Sequence, residues 1–243
     1  MHRLSAIVLA GWLACTGNGS PAQRTPDRPD TEEGSDMTKP AKPATPAAAA
    51  GDAVDAVAKK ILELGYLELF QRMDHDQADA LWRDSPAELE SLVKNDAKPH
   101  RARFLAAEVL YLKKPGYPAA DERPALAVLY AEALGQSGKD GTWGLMGNIW
   151  GLTHVNEDVG TAGKHLLDLG PDAAIPALKP LLTSTEVVLY EGSEEATVGN
   201  EQLYRVKDMA AYYLGRLTKK PLAFHTDWKA RDREIEKLAR TLP

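Results

Sequence analysis

The segment formed by residues 141–151 has the most unusual composition in the chain. It contains four glycines, two of the five tryptophans (Trp143 and Trp150) and Met146. If the segment were helical, both tryptophans and Met146 would lie on one face. Glycine in a helix interior costs about 0.5–1 kcal/mol relative to alanine, so its repeated use points to close approach by a ligand or another backbone. Two interpretations stay open: an apolar binding groove, or a tight contact between helices with the tryptophans in the core.

A second candidate is acidic. The carboxylates of Glu191, Glu194 and Glu195 follow one another within ten residues of a Gly- and Ser-containing segment. Such a loop can bind a cation or a basic partner, but calcium loops normally have denser Asp and Asn spacing. The alternative is that solvent, or the nearby Arg205 and Lys207, neutralises these carboxylates.

The six histidines show no spacing typical of a metal site, and no Cys-x-x-Cys pair exists. His154, Asp158 and His165 would share a face of one helix, but two glycines between them disfavour that helix. The sequence also lacks a nucleophile elbow, a phosphate-binding loop and a dinucleotide fingerprint. We therefore predict no catalytic residue, no metal and no cofactor.

The composition of the chain excludes several classes of protein. The chain has 243 residues, of which 44% are hydrophobic and 26% are charged. That charged fraction excludes a multispanning membrane protein, and the formal net charge of −6 argues against a nucleic-acid partner. A single cysteine excludes a disulfide framework.

The N-terminus has the features of an export signal. Two polar residues precede an apolar run over residues 4–14, which is too short for a membrane span of about 20 residues. The run ends in Leu13-Ala14-Cys15, which resembles the lipobox of bacterial lipoproteins, with Trp12 where that family usually has an aliphatic residue. The resemblance implies a signal peptide of residues 1–15, a diacylated Cys15 and anchoring to a membrane of the cell envelope. The alternative is an ordinary signal cleaved after Ala22.

Residues 16–50 are predicted to form a disordered tether. They contain no Val, Ile, Leu, Phe, Trp or Tyr and hold 6 of the 16 prolines. Such a composition cannot bury enough apolar surface to offset the entropy of ordering. The prolines favour extended polyproline-II conformations, so the segment would separate a lipid anchor from a folded domain.

Residues 51–243 are predicted to form one all-α domain, because apolar residues recur at helical spacing from Val54 onward. Ser85-Pro86-Ala87-Glu88 predicts a capping box, and Thr226 or Asp227 is expected to cap the last helix. The strand-like residues 187–190 predict a small hairpin or an ordered loop within an insert at 183–204.

Two stretches are similar to HEAT repeats. Residues 166–182 carry a Leu-Gly turn before Ala174-Ile175-Pro176-Ala177-Leu178, as in the first helix of a repeat. Residues 205–217 carry paired alanines and a terminal Leu-Gly, as in the second helix. No regular period of about 40 residues runs through the chain. The resemblance implies a short, irregular stack of antiparallel helical hairpins.

Stacked helical hairpins present a broad surface, which favours a non-catalytic scaffold or protein-interaction module with an unknown protein partner. The candidate contact residues are Trp143, Met146, Trp150, Glu191, Glu194, Glu195, Tyr204 and Arg205. One alternative is a small-molecule-binding or enzymatic domain with a pocket near Trp143, Trp150 and Tyr204. Contact of His154 or His165 with Glu191 or Glu194 in a closed cavity would favour that alternative. A third possibility is a purely structural spacer in the envelope.

Overall fold

The computed structural model describes residues 46–71, 74–138, 147–152, 159–191, 194–220, 222–223 and 226–243. The described part of the chain contains ten α-helices and no named β-strand, so the predicted all-α fold is confirmed. The helices are α1 (Pro46–Tyr66), α2 (Asp76–Asp84), α3 (Pro86–Lys94), α4 (His100–Lys113), α5 (Arg123–Gln136), α6 (Thr161–Asp168), α7 (Pro171–Leu178), α8 (Glu194–Glu201), α9 (Val206–Leu217) and α10 (Trp228–Ala239). A π-helical turn (Leu67–Gln71) and two 3₁₀ turns (Gly147–Ile149 and Lys179–Thr183) complete these elements.

The centre of the fold is α4. Every residue from Ala102 to Leu110 is buried, because α4 packs against α1, α2, α3 and α5. A helix that is covered on most sides must be apolar around most of its circumference. The sequence of α4 meets that requirement, with Arg103 and Glu108 as its buried charged residues.

The second half of the domain is organised around α5 and α9. Helix α5 packs on α7, and α9 packs on α7, on α10 and on the Lys179–Thr183 turn. Gly163 allows α6 and α9 to approach closely, because a Cβ at this position would collide with the Tyr213 hydroxyl. The described residues belong to one compact unit, Ala44–Pro243.

Helix ends follow the sequence signals in part. Asp227 caps α10, since its carboxylate accepts a hydrogen bond from the Ala230 amide at 2.8 Å. The capping box predicted at Ser85 does not form: its side chain makes no cap hydrogen bond, although Pro86 does occupy the first turn of α3. Ser85 also ends α2, where its amide binds the Leu81 carbonyl at 2.9 Å. It therefore connects two helices directly rather than opening one from a loop.

The insert contains an extended segment and a short helix rather than a hairpin. Val187 forms an isolated antiparallel bridge with Arg205, and the Val188 amide donates to the Tyr204 carbonyl at 2.8 Å. Helix α8 follows, and the Asn200 side chain holds Tyr190 by bonds of 3.0 and 2.8 Å to its amide and carbonyl. The strand-like residues therefore pair with the chain that enters α9.

No helix in the described ranges combines the length and the apolar character needed to cross a bilayer.

Candidate functional site

Trp150 lies in the core. It is fully buried, and its indole N–H donates to the Ser137 hydroxyl at 2.7 Å. Its ring lies 6.1 Å from Phe104, and its carbonyl accepts a hydrogen bond from Tyr213. Trp150 therefore joins α4, α5 and α9, as in the interpretation that placed the tryptophans in the core. Trp143 and Met146 lie outside the described residues, as does Cys15.

Tyr204 and Arg205 are buried at the entrance to α9. The Arg205 guanidinium donates to both carboxylate oxygens of Asp208, at 2.9 and 2.8 Å. It also reaches Asp232 on α10, at 2.7 and 3.3 Å. The Arg231 guanidinium adds a bond of 3.0 Å to Asp208 and stacks 5.2 Å from the Tyr204 ring centroid.

These residues, together with Lys207, form what we call the α9 network: Arg205, Lys207, Asp208, Arg231 and Asp232. Burial lowers the pKa of Arg205, but its hydrogen bonds to Asp208 and Asp232 outweigh this and raise the pKa above the ordinary value. Burial raises the pKa of Asp232, and hydrogen bonds from Arg205 and Lys207 bring it below the ordinary value. Each charge is thus held by an opposite charge.

The described ion pairs of Arg205 and Lys207 are with aspartates of α9 and α10. Lys207 pairs with Asp232 at 2.9 Å, and Arg205 pairs with Asp208 and Asp232. The Arg205 amide also donates to Asp208 at 2.8 Å, which makes Asp208 a cap of α9. Asp208 lies three residues after Arg205, so it satisfies an N-terminal amide of the helix as well as the guanidinium.

Glu191 joins the insert to the segment that precedes Trp150. Its backbone amide and carbonyl bind the Asn148 side chain, at 3.2 and 3.3 Å, while its own carboxylate is exposed. The Tyr190 hydroxyl donates to the Gly151 carbonyl at 3.0 Å. The structure therefore brings together two regions that the sequence singled out separately. Glu194 and Glu195 begin α8.

A buried polar cluster was missed by the sequence analysis. The Glu108 carboxylate accepts a hydrogen bond from the Tyr130 hydroxyl and lies 2.7 Å from Nδ1 of His165. Tyr111 stacks on the His165 ring, with centroids 4.0 Å apart and planes inclined by 3°. Burial, and next the charge of Glu108, raise the pKa of Tyr130, so this hydroxyl stays protonated and donates.

Only one sequence signal pointed to this cluster: Glu108 is a charged residue inside an otherwise apolar helical stripe. Its partners lie 22 and 57 residues further along the chain. No local motif connects them. His165 meets Glu108 and not Glu191. His154 and the side chain of Glu194 lie outside the described part of the structure, so the predicted pairing with them stays a prediction.

An open groove with a volume of about 320 Å³ lies between α3, α4 and the start of α5. We call it the α3–α5 groove. Apolar side chains form its floor: Val93, Leu110, Ala125, Leu126 and Leu129. Charged side chains also line the groove and are called its rim here, with Arg103 the buried one among them: Glu90, Lys94, Asp96, Arg103, Asp121 and Glu122.

Most charged side chains of that rim form ion pairs. Lys94 pairs with Glu122 at 2.7 Å, and Arg103 pairs with Asp96 at 2.6 Å. The pairing to Glu122 is the main cause of the raised pKa of Lys94. Trp150, Tyr204 and Arg205 do not line the groove. No local sequence pattern predicts the groove, because its lining residues come from three helices and from the segments between them.

No family model, curated protein or solved structure matches this chain. Among the described residues, no group of three or more His, Cys, Asp or Glu side chains is arranged to hold a metal ion.

Proposed function

We propose that this protein is a lipid-anchored protein of the bacterial cell envelope that binds another protein through its helical domain. The observation that carries the proposal is the α3–α5 groove, an open depression with an apolar floor and a charged rim. Protein interfaces share this arrangement, because an apolar centre supplies most of the binding free energy while a polar rim excludes water.

The size of the groove fits a surface that binds side chains of a protein partner. Its volume of about 320 Å³ is at the low end of the roughly 300–1,000 Å³ typical of ligand pockets. A groove of this size suits one or two side chains of a partner rather than a large cofactor. The surrounding surface of α3 and α5 would then supply the remainder of the interface.

The anchoring half of the proposal rests on the sequence. Cys15 would carry the lipid, and the 30 residues numbered 16–45 would link it to α1. In polyproline-II conformation, at about 3.1 Å per residue, that segment reaches roughly 90 Å. The helical domain would therefore meet partners well away from the membrane surface.

One pair of variants tests the groove. Ala125 lines it and is exposed on α5, whereas Ala56 is exposed on α1 and does not line it. Ala125→Trp should fill the groove with little effect on the core, and Ala56→Trp adds the same bulk elsewhere. We expect partners cross-linked to the full-length protein in the envelope to be lost with Ala125→Trp and retained with Ala56→Trp. Retention of the same partners by both variants would contradict the proposal.

Mass measurement of the mature N-terminus tests the anchor. We expect a diacylated Cys15 as the first residue, and release of the protein from the membrane fraction in a Cys15→Ser variant. An unmodified N-terminus at Gln23 would show instead that an ordinary signal peptide is removed.

A second candidate function, an enzymatic one, rests on the contact between Glu108 and His165. A carboxylate that holds one imidazole nitrogen orients the other for proton transfer. The His165 side chain keeps 19% of its surface exposed. If this pair acts as a general base, the protein should turn over chromogenic esters or phosphoesters, and His165→Gln should abolish that turnover while Ala125→Trp leaves it unchanged. Equal rates in wild type and His165→Gln would remove this candidate.

A further inference from the structure

We propose that the α3–α5 groove takes a polypeptide segment in which a basic side chain lies next to an apolar one. This inference rests on the proposed function and specifies the chemistry of the partner. It draws on the charge balance of the rim and on the position of that rim around the apolar floor.

The rim is acidic. It contains four carboxylates and two cations, and both cations are already engaged, Lys94 by Glu122 and Arg103 by Asp96. Arg103 is held further, since its Nε donates to the Val93 carbonyl at 3.0 Å. An incoming acidic group would therefore have to displace an existing ion pair, whereas an incoming cation would not.

One carboxylate stays open to a partner. Lys114, which is not a rim residue, pairs with Glu90 at 2.7 Å. Of the four rim carboxylates, Asp121 is then the remaining one. This residue is exposed and lies within an ion-pair distance of no described cation, although its charge contributes to the raised pKa of Lys94. It lies just before α5, four residues from the exposed Ala125, and both line the groove.

Tyr117 also lines the groove, where carboxylates lie near its ring. Burial raises the pKa of Tyr117, and the charges of Glu122, Glu90 and Glu108 raise it further. Carboxylates around a concave surface with low-dielectric walls concentrate their field within it. That field attracts a Lys or Arg side chain, and the leucines of the floor receive an adjacent apolar one.

Selection from a displayed library of short random peptides tests this chemistry. The full-length protein and its Ala125→Trp variant are used in parallel, and peptides retained by both are discarded. We expect the remaining peptides to carry Lys or Arg beside Leu, Ile, Val or Phe.

A charge-reversal pair then locates the contact, with one selected peptide as the probe. Asp121→Lys should weaken its binding roughly 3- to 10-fold at low salt, the range expected of one partly exposed ion pair. Glu201→Lys makes the same charge change at an exposed residue that does not line the groove, and should leave binding unchanged. The difference between the two variants should shrink as salt is added.

The outcomes separate this inference from the proposed function. Peptides that need the open groove but show no enrichment in Lys or Arg, or bind equally well to Asp121→Lys, would overturn the inference and leave the docking function standing. A selection in which no peptide distinguishes wild type from Ala125→Trp would overturn both.

Discussion

The α9 network and the rim of the α3–α5 groove contain the same types of charged residue, but these residues differ in burial. In the network, the Asp208 carboxylate is completely buried between Arg205 and Arg231. In the rim, the side chains of Lys94 and Asp96 are 60% and 90% exposed. Buried charges must find partners within the fold, because their desolvation is otherwise too costly. An exposed ion pair contributes little to stability, so its charges can pair with a second molecule at little cost to the fold.

The α9 network connects helices within the fold, whereas the α3–α5 groove is open at its surface. Two of the candidate residues, Tyr204 and Arg205, are buried at the entrance of α9, which the network joins to α10. None of the candidate residues whose side chains the structure describes lines the groove, which combines an apolar floor with an exposed carboxylate. In this fold, the burial of a charged residue, more than its type, distinguishes residues that stabilise the structure from residues that can bind a partner.

The largest expected effect comes from removing the central charge of the network. Asp208→Asn leaves Arg205 and Arg231 buried without their shared carboxylate, and it weakens the cap of α9. We expect the free energy of unfolding to fall by about 3–5 kcal/mol, the usual cost of breaking a buried ion pair, measured by urea denaturation. A loss below about 1 kcal/mol would mean that water reaches the arginines and that the network is not closed.

A smaller effect is expected at the edge of the network, and it depends on pH. The pKa of Asp232 is lowered in the folded protein because the hydrogen bonds from Arg205 and Lys207 outweigh burial. Such a carboxyl stabilises the fold above its unfolded pKa, near 3.9, and this contribution is lost as the pH falls through the lower folded value. Wild type should therefore exceed Asp232→Asn in stability by a constant amount above about pH 5.

The same two proteins should converge in acid. Urea denaturation at a series of pH values checks this, and the side chain of Asp232, 38% exposed, sets the expectation of a difference of at most about 1 kcal/mol. A difference that persists unchanged well below the pKa of an ordinary aspartate would show that Asp232 acts through packing and not through its charge.

The smallest effect is expected at the groove. Lys94→Met removes an exposed partner of Glu122 but keeps much of the aliphatic chain, so the free energy of unfolding should change by less than about 1 kcal/mol. The measurement is again urea denaturation. A loss as large as that of Asp208→Asn would place the rim among the structural ion pairs, and the contrast between the two regions would fail.

Apolar periodicity predicted the all-α fold because a helix that packs on a core must repeat its apolar residues every three to four positions. The same spacing continues through the residues of α4, where Leu105 and Val109 are four positions apart and both buried. Ser85 shows the limit of local signals: its sequence fits a capping box, but α2 runs directly into α3 and the side chain makes no cap bond.

The site was harder to predict because its residues meet only after packing. The pair Arg205 and Asp208 is visible at helical spacing, whereas Arg231 and Asp232 come from α10 and give no local sign of the contact. The groove depends on the relative positions of α3, α4 and α5. For the cluster of Glu108, Tyr130 and His165, the local sign is Glu108 itself, because a charge within a buried stripe needs a partner.

Site-specific photocross-linking shows directly whether another protein docks in the α3–α5 groove. A photoreactive amino acid is placed at position 125 in the groove or at position 56 on α1, in the full-length protein within the envelope. The account predicts a discrete adduct with a second protein from position 125 and none from position 56. The same set of adducts from both positions, or none from position 125, would contradict it.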